Sequence, residues 1–164
     1  MSHFKKIMKR LDTKLFSTGA EFLVMSRLLL ANIQTYKTYI NFEGYDLVCV
    51  NPLKNLSAKI QVKSKNFLND SSFYLNSDEK NKSDFYVFAQ TNSIKKVNGE
   101  NKLLFDVEPK LFVMDYAMVN KLKKNDSKGT PYICISNKNI PNRGDYLNNW
   151  ESIKKFIELP IFEI

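Results

Sequence analysis

The chain has 164 residues, of which 43% are hydrophobic and 26% are charged, so it is long enough to bury the core of one ordinary globular domain. Lysine and arginine outnumber aspartate and glutamate by 25 to 17, and the net charge of +8 favours a polyanionic partner such as nucleic acid, although a solvated lysine-rich surface explains it equally well. The sole histidine is His3, which excludes histidine-based catalysis and His-ligated zinc from the body of the chain.

Targeting signals and cysteines indicate the compartment. The N-terminal residues lack the long apolar core of a signal peptide, and no stretch approaches the roughly 18 apolar residues of a membrane span. Cys49 and Cys134 each lie in an apolar run and form no CxxC pair, so we expect buried, reduced thiols. These features predict a cytoplasmic protein that does not associate with a membrane.

The N-terminal part predicts a basic lead-in and then a helix. Residues 1–16 form the lead-in, and residues 17–164 form one domain. Ser17 or Thr18 is a suitable helix cap, and Glu21 then lies in the first turn, where a carboxylate suits the helix dipole. Apolar residues recur at helical spacing and predict a helix buried on much of its surface: Phe22, Met25, Leu29 and Ile33.

Three strands follow the helix. Residues 35–41 are rich in Thr, Tyr and Ile, and residues 45–50 form an apolar run that ends at Asn51-Pro52. Residues 57–64 alternate between apolar and polar side chains. This alternation places Lys59, Gln61 and Lys63 on one face of the third strand, across a turn from the second strand.

The rest of the chain alternates strands, polar turns and helices. The predicted strands are 72–75, 84–89, 103–107, 110–114 and 131–136, and the predicted helices are 115–124 and 145–156. Asp115 and Asp145 are the predicted caps of these helices, and Trp150, Ile153 and Phe156 are the predicted buried face of the last one. The order of elements indicates an α/β (α+β) domain with a mixed central sheet.

A few residues on these elements carry the chemistry of phosphodiester cleavage, which needs a hard cation held by oxygens and a positive group near the developing charge. Asp46 offers a carboxylate at the start of its strand, and Gln61 and the backbone of Val62 offer carbonyl oxygens. Lys63 can orient or deprotonate a water molecule. Glu21 can hold a second cation, or contact the first one through water.

The motifs Gly19-Ala20-Glu21, Tyr45-Asp46-Leu47 and Gln61-Val62-Lys63 stand in this order on a helix, a strand and a strand. With the DFYVFA and PYICIS strands and the Trp-bearing last helix, the chain resembles the PD-(D/E)XK nuclease superfamily over most of residues 17–156. It looks closest to small single-domain bacterial members. The resemblance implies the restriction-endonuclease-like fold, with a mixed central β-sheet flanked by helices.

The resemblance also implies roles for individual residues. Asp46 and Gln61 would bind Mg²⁺ (or Mn²⁺), Lys63 would be the catalytic lysine, and Glu21 would be the helix carboxylate of the site. Gln61 departs from the commonest pattern, because a carboxylate usually stands at its position. A glutamine variant also occurs in active branches that resemble the Mrr-type restriction enzymes.

Two functions follow from the resemblance. The first is a metal-dependent DNA endonuclease in restriction, repair or defence, expected as a homodimer because cutting both strands needs two active sites. The second is a catalytically weakened or inactive nuclease-fold module that binds nucleic acid or a protein. DNA contacts are assigned to Lys59, Lys63, Lys65 and Tyr45, with solvated lysines and a packed tyrosine as the alternative. An unrelated α+β domain would instead point Glu21, Asp46 and Lys63 to different surfaces.

Overall fold

The computed structural model describes residues 3–38, 44–67, 72–75, 83–103 and 108–160. Its α-helices in this part of the chain are α1 (His3–Leu30), α2 (Tyr116–Leu122) and α3 (Glu151–Phe156). Its strands are β1 (Gln34–Lys37), β2 (Leu47–Asn51), β3 (Leu56–Phe67), β4 (Ser72–Tyr74), β5 (Phe85–Val97), β6 (Glu100–Leu103), β7 (Lys110–Asp115), β8 (Lys124–Asn125) and β9 (Pro131–Cys134). A 3₁₀ helix covers Arg143–Tyr146.

The main sheet is mixed, as the sequence predicts. Its strand order is β1-β2-β3-β5, and the N-terminal half of β5 pairs on its other edge with β7, while the C-terminal half pairs with β6. All of these neighbours are antiparallel except β3 and β5, which run parallel. The strands β4, β9 and β8 form a second, smaller antiparallel sheet.

The main sheet has an apolar core on each face, and β5 and β7 contribute buried side chains to both. On one face α1 and α3 pack against the buried apolar residues of β2, β3, β5 and β7. On the other face α2 and the smaller sheet pack against Phe88 of β5 and against Phe112 and Met114 of β7. The apolar 84–89 strand is buried on both faces, because Phe85, Val87 and Ala89 lie in one core and Phe88 lies in the other.

Helix α1 differs from its prediction in where it starts and in which face it buries. It begins at His3, so Ser17 is not a cap: its hydroxyl donates to the carbonyl of Lys14 at 3.0 Å inside the helix. Glu21 therefore lies in the interior of the helix and not in its first turn. The reason is that the lead-in is rich in Lys, Leu, Met and Phe, which are compatible with a helix and do not end it.

The core-facing stripe of α1 was predicted only in part. Ile33 is buried and Met25 packs against the core as expected, but Phe22 and Leu29 are 47% and 46% exposed. The buried residues of the helix are spaced four apart: Ala20, Val24 and Leu28. Because most residues of this segment are apolar, periodicity alone does not select the buried face.

Two further predictions are corrected toward the C-terminus. Residues 91–102, whose polar side chains indicate a turn region, instead extend β5 to Val97 and begin β6, and Asn98-Gly99 (φ 50° and 84°) forms the tight hairpin turn between them. Asp145 does not cap the last helix, because the left-handed residues Asn142 and Asn148 confine it to a 3₁₀ turn, and α3 starts at Glu151.

Some predictions stand and some lie outside the described residues. Asp115 caps α2 as predicted, since its carboxylate accepts the N–H of Met118 at 2.7 Å. Ile153 is buried as predicted, but Phe156 is half exposed and Ile157 takes its place in the core. Residues 39–41, the end of one predicted strand, and residues 104–107, nearly all of another, are not described. Within the described residues, no helix has both the length and the apolar character that crossing a bilayer requires.

Candidate active site

Asp46 lies just before β2, and hydrogen bonds fix the backbone around it. Its N–H donates to the carbonyl of Ile60 on β3 at 2.8 Å, and its own carbonyl accepts the N–H of Thr38 at 3.0 Å. Two residues earlier, Gly44 has a φ of 89°, a conformation that glycine adopts without strain, and its carbonyl accepts the hydroxyl of buried Ser83 at 2.6 Å. These contacts hold the Asp46 carboxylate in a defined position beside β3.

The carboxylate of Asp46 contacts two consecutive residues of β3. Its Oδ2 accepts the side-chain amide N–H of Gln61 at 2.6 Å and the backbone N–H of Val62 at 2.7 Å. The pairing of β2 with β3 ends at Leu47 and Ile60. Alternate residues of a strand point their backbone groups to the same side, so the next N–H and C=O of β3 that point toward β2 belong to Val62. Because the N–H and C=O of one strand residue point to the same edge, the carbonyl of Val62 lies beside the Asp46 carboxylate.

Gln61 and Lys63 lie on the same face of β3 by strand alternation, opposite the buried side chains of Ile60 and Val62. Burial lowers the pKa of Lys63 below its ordinary value of 10.5, and the negative charge of Asp46 opposes this shift. The amine of Lys63 therefore lies near the carboxylate of Asp46, in a partly desolvated position.

The pKa of Asp46 is shifted by burial and by the charges around it. Burial raises this pKa above its ordinary value of 3.8, and the charge of Glu21 raises it further. The Val62 N–H and the charges of Lys63 and Lys37 act in the opposite direction. Glu21 from α1 and Asp46 are thus close enough to repel each other, and the side chains do not point to different surfaces.

Glu21 is held by a residue that the sequence analysis does not single out. Its Oε2 accepts a hydrogen bond from Nζ of Lys37 on β1, and the two side chains are only 17% and 12% exposed. The signal for Lys37 is weak in the sequence: it is one lysine in a polar and aromatic strand. Its position opposite Leu47, next to Asp46, appears only once the register of β1 with β2 is known.

The residues assigned to DNA contacts follow the same face of β3. Lys59, Gln61, Lys63 and Lys65 alternate along the strand, and Lys59 is exposed. The Nζ of Lys59 lies 5.4 Å from the ring centroid of Tyr45, so the tyrosine packs against a lysine at the border of the site.

The donor set fits a hard divalent cation, although it is small. Within the described residues, no group of three or more His, Cys, Asp and Glu side chains is placed to hold a metal. The Asp46 carboxylate, the carbonyl of Val62 and, after a turn of its side-chain amide, Gln61 offer oxygens of the kind that Mg²⁺ prefers. A cation there would also stabilise the Asp46 carboxylate, which is partly desolvated and repelled by Glu21.

Among solved structures, the chain is similar to that of a bacterial homing endonuclease, I-Ssp6803I. The TM-score is 0.55 at 20% sequence identity, over 89% of this chain and 94% of that chain. No family model matches the sequence, and no curated protein matches it. The similarity confirms the predicted fold class, and the chain has a nuclease-like α+β fold with a mixed sheet.

Proposed function

We propose that the protein is a divalent-metal-dependent endonuclease that hydrolyses phosphodiester bonds in DNA, and that it belongs to the PD-(D/E)XK superfamily. The observation that carries the proposal is the cluster around Asp46, where Gln61 and Val62 donate to the carboxylate and the charges of Glu21 and Lys63 lie close. These are the residues of the three short motifs, on a fold shared with a homing endonuclease.

The cation-binding groups in this proposal are the carboxylate of Asp46 and the carbonyl oxygens of Gln61 and Val62. When bound, Mg²⁺ or Mn²⁺ would supply positive charge against the negative charge that develops on the scissile phosphate. Binding requires the amide of Gln61 to turn its oxygen inward, and the Val62 N–H keeps the carboxylate oriented during that change.

Lys63 acts on the attacking water and on the phosphate. Because burial lowers the pKa of Lys63, its neutral amine forms more readily than that of a lysine in solvent. The neutral amine can accept a proton from the attacking water molecule. As an ammonium group, Lys63 stabilises the charge on the phosphate oxygens. Lys59 and Lys65 lie on the same face of β3 as Lys63, and Tyr45 packs against Lys59. These three residues would contact the DNA backbone beside the scissile bond.

The test is cleavage of supercoiled plasmid in Mg²⁺ or Mn²⁺. We expect Asp46→Ala and Lys63→Ala to lower the rate by at least about 100-fold, as for the loss of a catalytic group. Lys54→Ala is the matched control, because Lys54 pairs with Glu158 on the surface in the turn at the opposite end of the β2–β3 hairpin. Equal nicking by all four proteins would indicate a contaminating nuclease and would overturn the proposal.

A nuclease-fold module that binds DNA without cutting it is the second candidate. The hydrogen bonds from Gln61 and Val62 favour it, because they satisfy an oxygen of Asp46 without a cation. In that case, calorimetry would detect no Mn²⁺ binding, and Asp46→Asn would bind DNA as the wild type does. A Mn²⁺ isotherm that disappears in Asp46→Asn would exclude this candidate.

The setting of the reaction is also part of the proposal. We place the protein in the cytoplasm, and we propose that it acts as a homodimer, because one site per chain cuts one strand and two sites are needed for both. Analytical ultracentrifugation with and without a short duplex tests the dimer. A monomer that only nicks the plasmid would contradict it.

A further inference from the structure

The pair formed by Lys37 and Glu21 has no role in the proposed reaction so far, yet it adjoins the site. The ammonium group of Lys37 donates to Oε2 of Glu21, and both side chains are largely shielded from water. Lys37 also lies over the ring of Phe22, with 5.5 Å between Nζ and the ring centroid. Two consecutive residues of α1 therefore hold the same ammonium group.

This pair differs from an ordinary surface ion pair. Exposed pairs are screened by water and contribute little, whereas a shielded pair fixes the geometry of both partners. The charges of both Glu21 and Lys37 act on Asp46, so the pair lies beside the proposed cation site. Glu21 is the carboxylate that could bind a second cation. Its Oε2 already accepts a hydrogen bond from the ammonium group of Lys37.

The cluster contains equal numbers of acidic and basic side chains. Its two carboxyl groups belong to Glu21 and Asp46, and its two amines belong to Lys37 and Lys63. The Asp46 carboxylate accepts hydrogen bonds from Gln61 and Val62, whereas the Glu21 carboxylate accepts one from the ammonium group of Lys37. A second divalent cation beside Glu21 would meet the ammonium of Lys37 at close range, and repulsion between the like charges opposes its binding.

We propose that Lys37 is a positioning residue whose ammonium group takes the place of a second cation beside Glu21, so that each chain binds one divalent cation, at Asp46. This inference rests on the proposed function. In it, Glu21 does not bind a cation directly, and Lys37 keeps the carboxylate at a fixed distance from Asp46.

The experiment counts Mn²⁺ ions bound per chain, by titration calorimetry and by the electron paramagnetic resonance signal of free Mn²⁺. We expect one ion for the wild type and two for Lys37→Met, in which Glu21 loses its ammonium partner. Lys37→Arg keeps the positive charge and should restore a count of one. The double variant Glu21→Gln/Lys37→Met has neither charge and should also bind one ion.

Controls separate a loss of charge from a loss of fold. Lys54→Met removes one positive charge at the far end of the hairpin and should leave the count at one. Circular dichroism and thermal unfolding establish that each variant is folded. Should Lys37→Met fail to fold, Lys37→Gln keeps a group that donates to Glu21 but removes the positive charge, and it should also bind two ions.

The results that would overturn the inference differ from those that would overturn the proposed function. Two ions bound by the wild type, or one ion bound by folded Lys37→Met and Lys37→Gln, would contradict the role of Lys37 while leaving the nuclease proposal standing. No Mn²⁺ bound by the wild type would contradict the proposed function, and the inference with it.

Discussion

At the scale of single residues, Gln61 decides how much negative charge the site offers. Its amide group donates to Asp46, so the two side chains attract each other without a cation. A glutamate at this position would place a second carboxylate against Asp46, and the two would repel each other until a cation bound between them. Glutamine at this position therefore stabilises the site without a cation, and in the proposed function it would lower the affinity for one.

Gln61→Glu tests this trade-off. We expect Mn²⁺ to bind at least about tenfold more tightly, because a charged ligand replaces a neutral one. We also expect a lower melting temperature without the metal and recovery when Mn²⁺ is added. Calorimetry and thermal unfolding measure the two effects, and Gln34→Glu at the exposed start of β1 is the control. Unchanged Mn²⁺ affinity would mean that residue 61 does not contact the cation.

The raised pKa of Asp46 makes a prediction about stability and pH. The folded state holds the Asp46 proton more tightly than the unfolded state, so the free energy of unfolding falls as the pH rises from 3.8 through the raised pKa. Without divalent cations, Asp46→Asn should therefore be more stable than the wild type at pH 7, with little or no gain below pH 3.8.

Urea unfolding at pH 7 and at pH 3.5 measures this difference. Asp145→Asn, which changes an exposed carboxylate in the 3₁₀ turn, serves as the control and should show no comparable pH-dependent gain. A wild type that is more stable than Asp46→Asn at pH 7 would show that the hydrogen bonds to the carboxylate outweigh its desolvation.

The site shows which residue contacts can be predicted from sequence. Asp46, Gln61 and Lys63 could be grouped because strand alternation and one turn relate them, and both are local properties. Lys37 could not be grouped with them, since its place depends on the register of β1 against β2. Its contact with Glu21 further depends on how α1 packs on the sheet, which local sequence does not specify.

At the scale of secondary-structure elements, α1 carries Glu21 and fixes it relative to the sheet. Leu28 is fully buried against the sheet, and its neighbour Leu29 is 46% exposed, although the two residues have the same side chain. We expect Leu28→Ala to lower the free energy of unfolding by about 2–5 kcal/mol, because it leaves a cavity in the core. Leu29→Ala should lower it by about 1 kcal/mol or less.

Chemical denaturation of the two variants measures these values, and each variant is the control for the other because the same atoms are removed. Equal losses would mean that the outer face of α1 is buried in solution, for example by a second chain. The comparison also addresses the error of the sequence prediction, in which a run of three leucines, Leu28 to Leu30, left the buried face of the helix undetermined.

Caps and turns were predicted with mixed success for a related reason. Asp115 follows β7 directly and caps α2, so a local hydrogen bond is enough to define it. Asp145 has the same side chain, but two left-handed asparagines on either side of it, Asn142 and Asn148, break the segment. Residue type alone does not reveal such backbone conformations in advance.

At the scale of the whole molecule, the kind of sheet could be predicted but its strand order could not. The mixture of helices and strands indicated a mixed central sheet, which the structure confirms. The parallel pairing of β3 with β5 and the pairing of β4 with β9 in the smaller sheet join strands that are distant in sequence. Alternation shows which face of a strand is buried and says nothing about which strand lies beside it.

In the proposed function, DNA would approach the face of β3 that carries Lys63. Strand alternation places Lys59 and Lys65 on the same face, so a duplex bound there would meet all three lysines. Because each phosphate contact releases bound counterions, the affinity for DNA should fall steeply as salt is added. We expect Lys59→Ala and Lys65→Ala each to reduce the slope of log affinity against log salt by about one.

Lys54→Ala, at the far end of the β2–β3 hairpin, should leave the slope unchanged. Fluorescence anisotropy with a short duplex, in the Asp46→Asn background and without divalent cations, measures binding without cleavage. If Lys54→Ala reduced the slope as much as Lys59→Ala, DNA would bind through the general positive charge of the chain and not on the lysine-bearing face of β3.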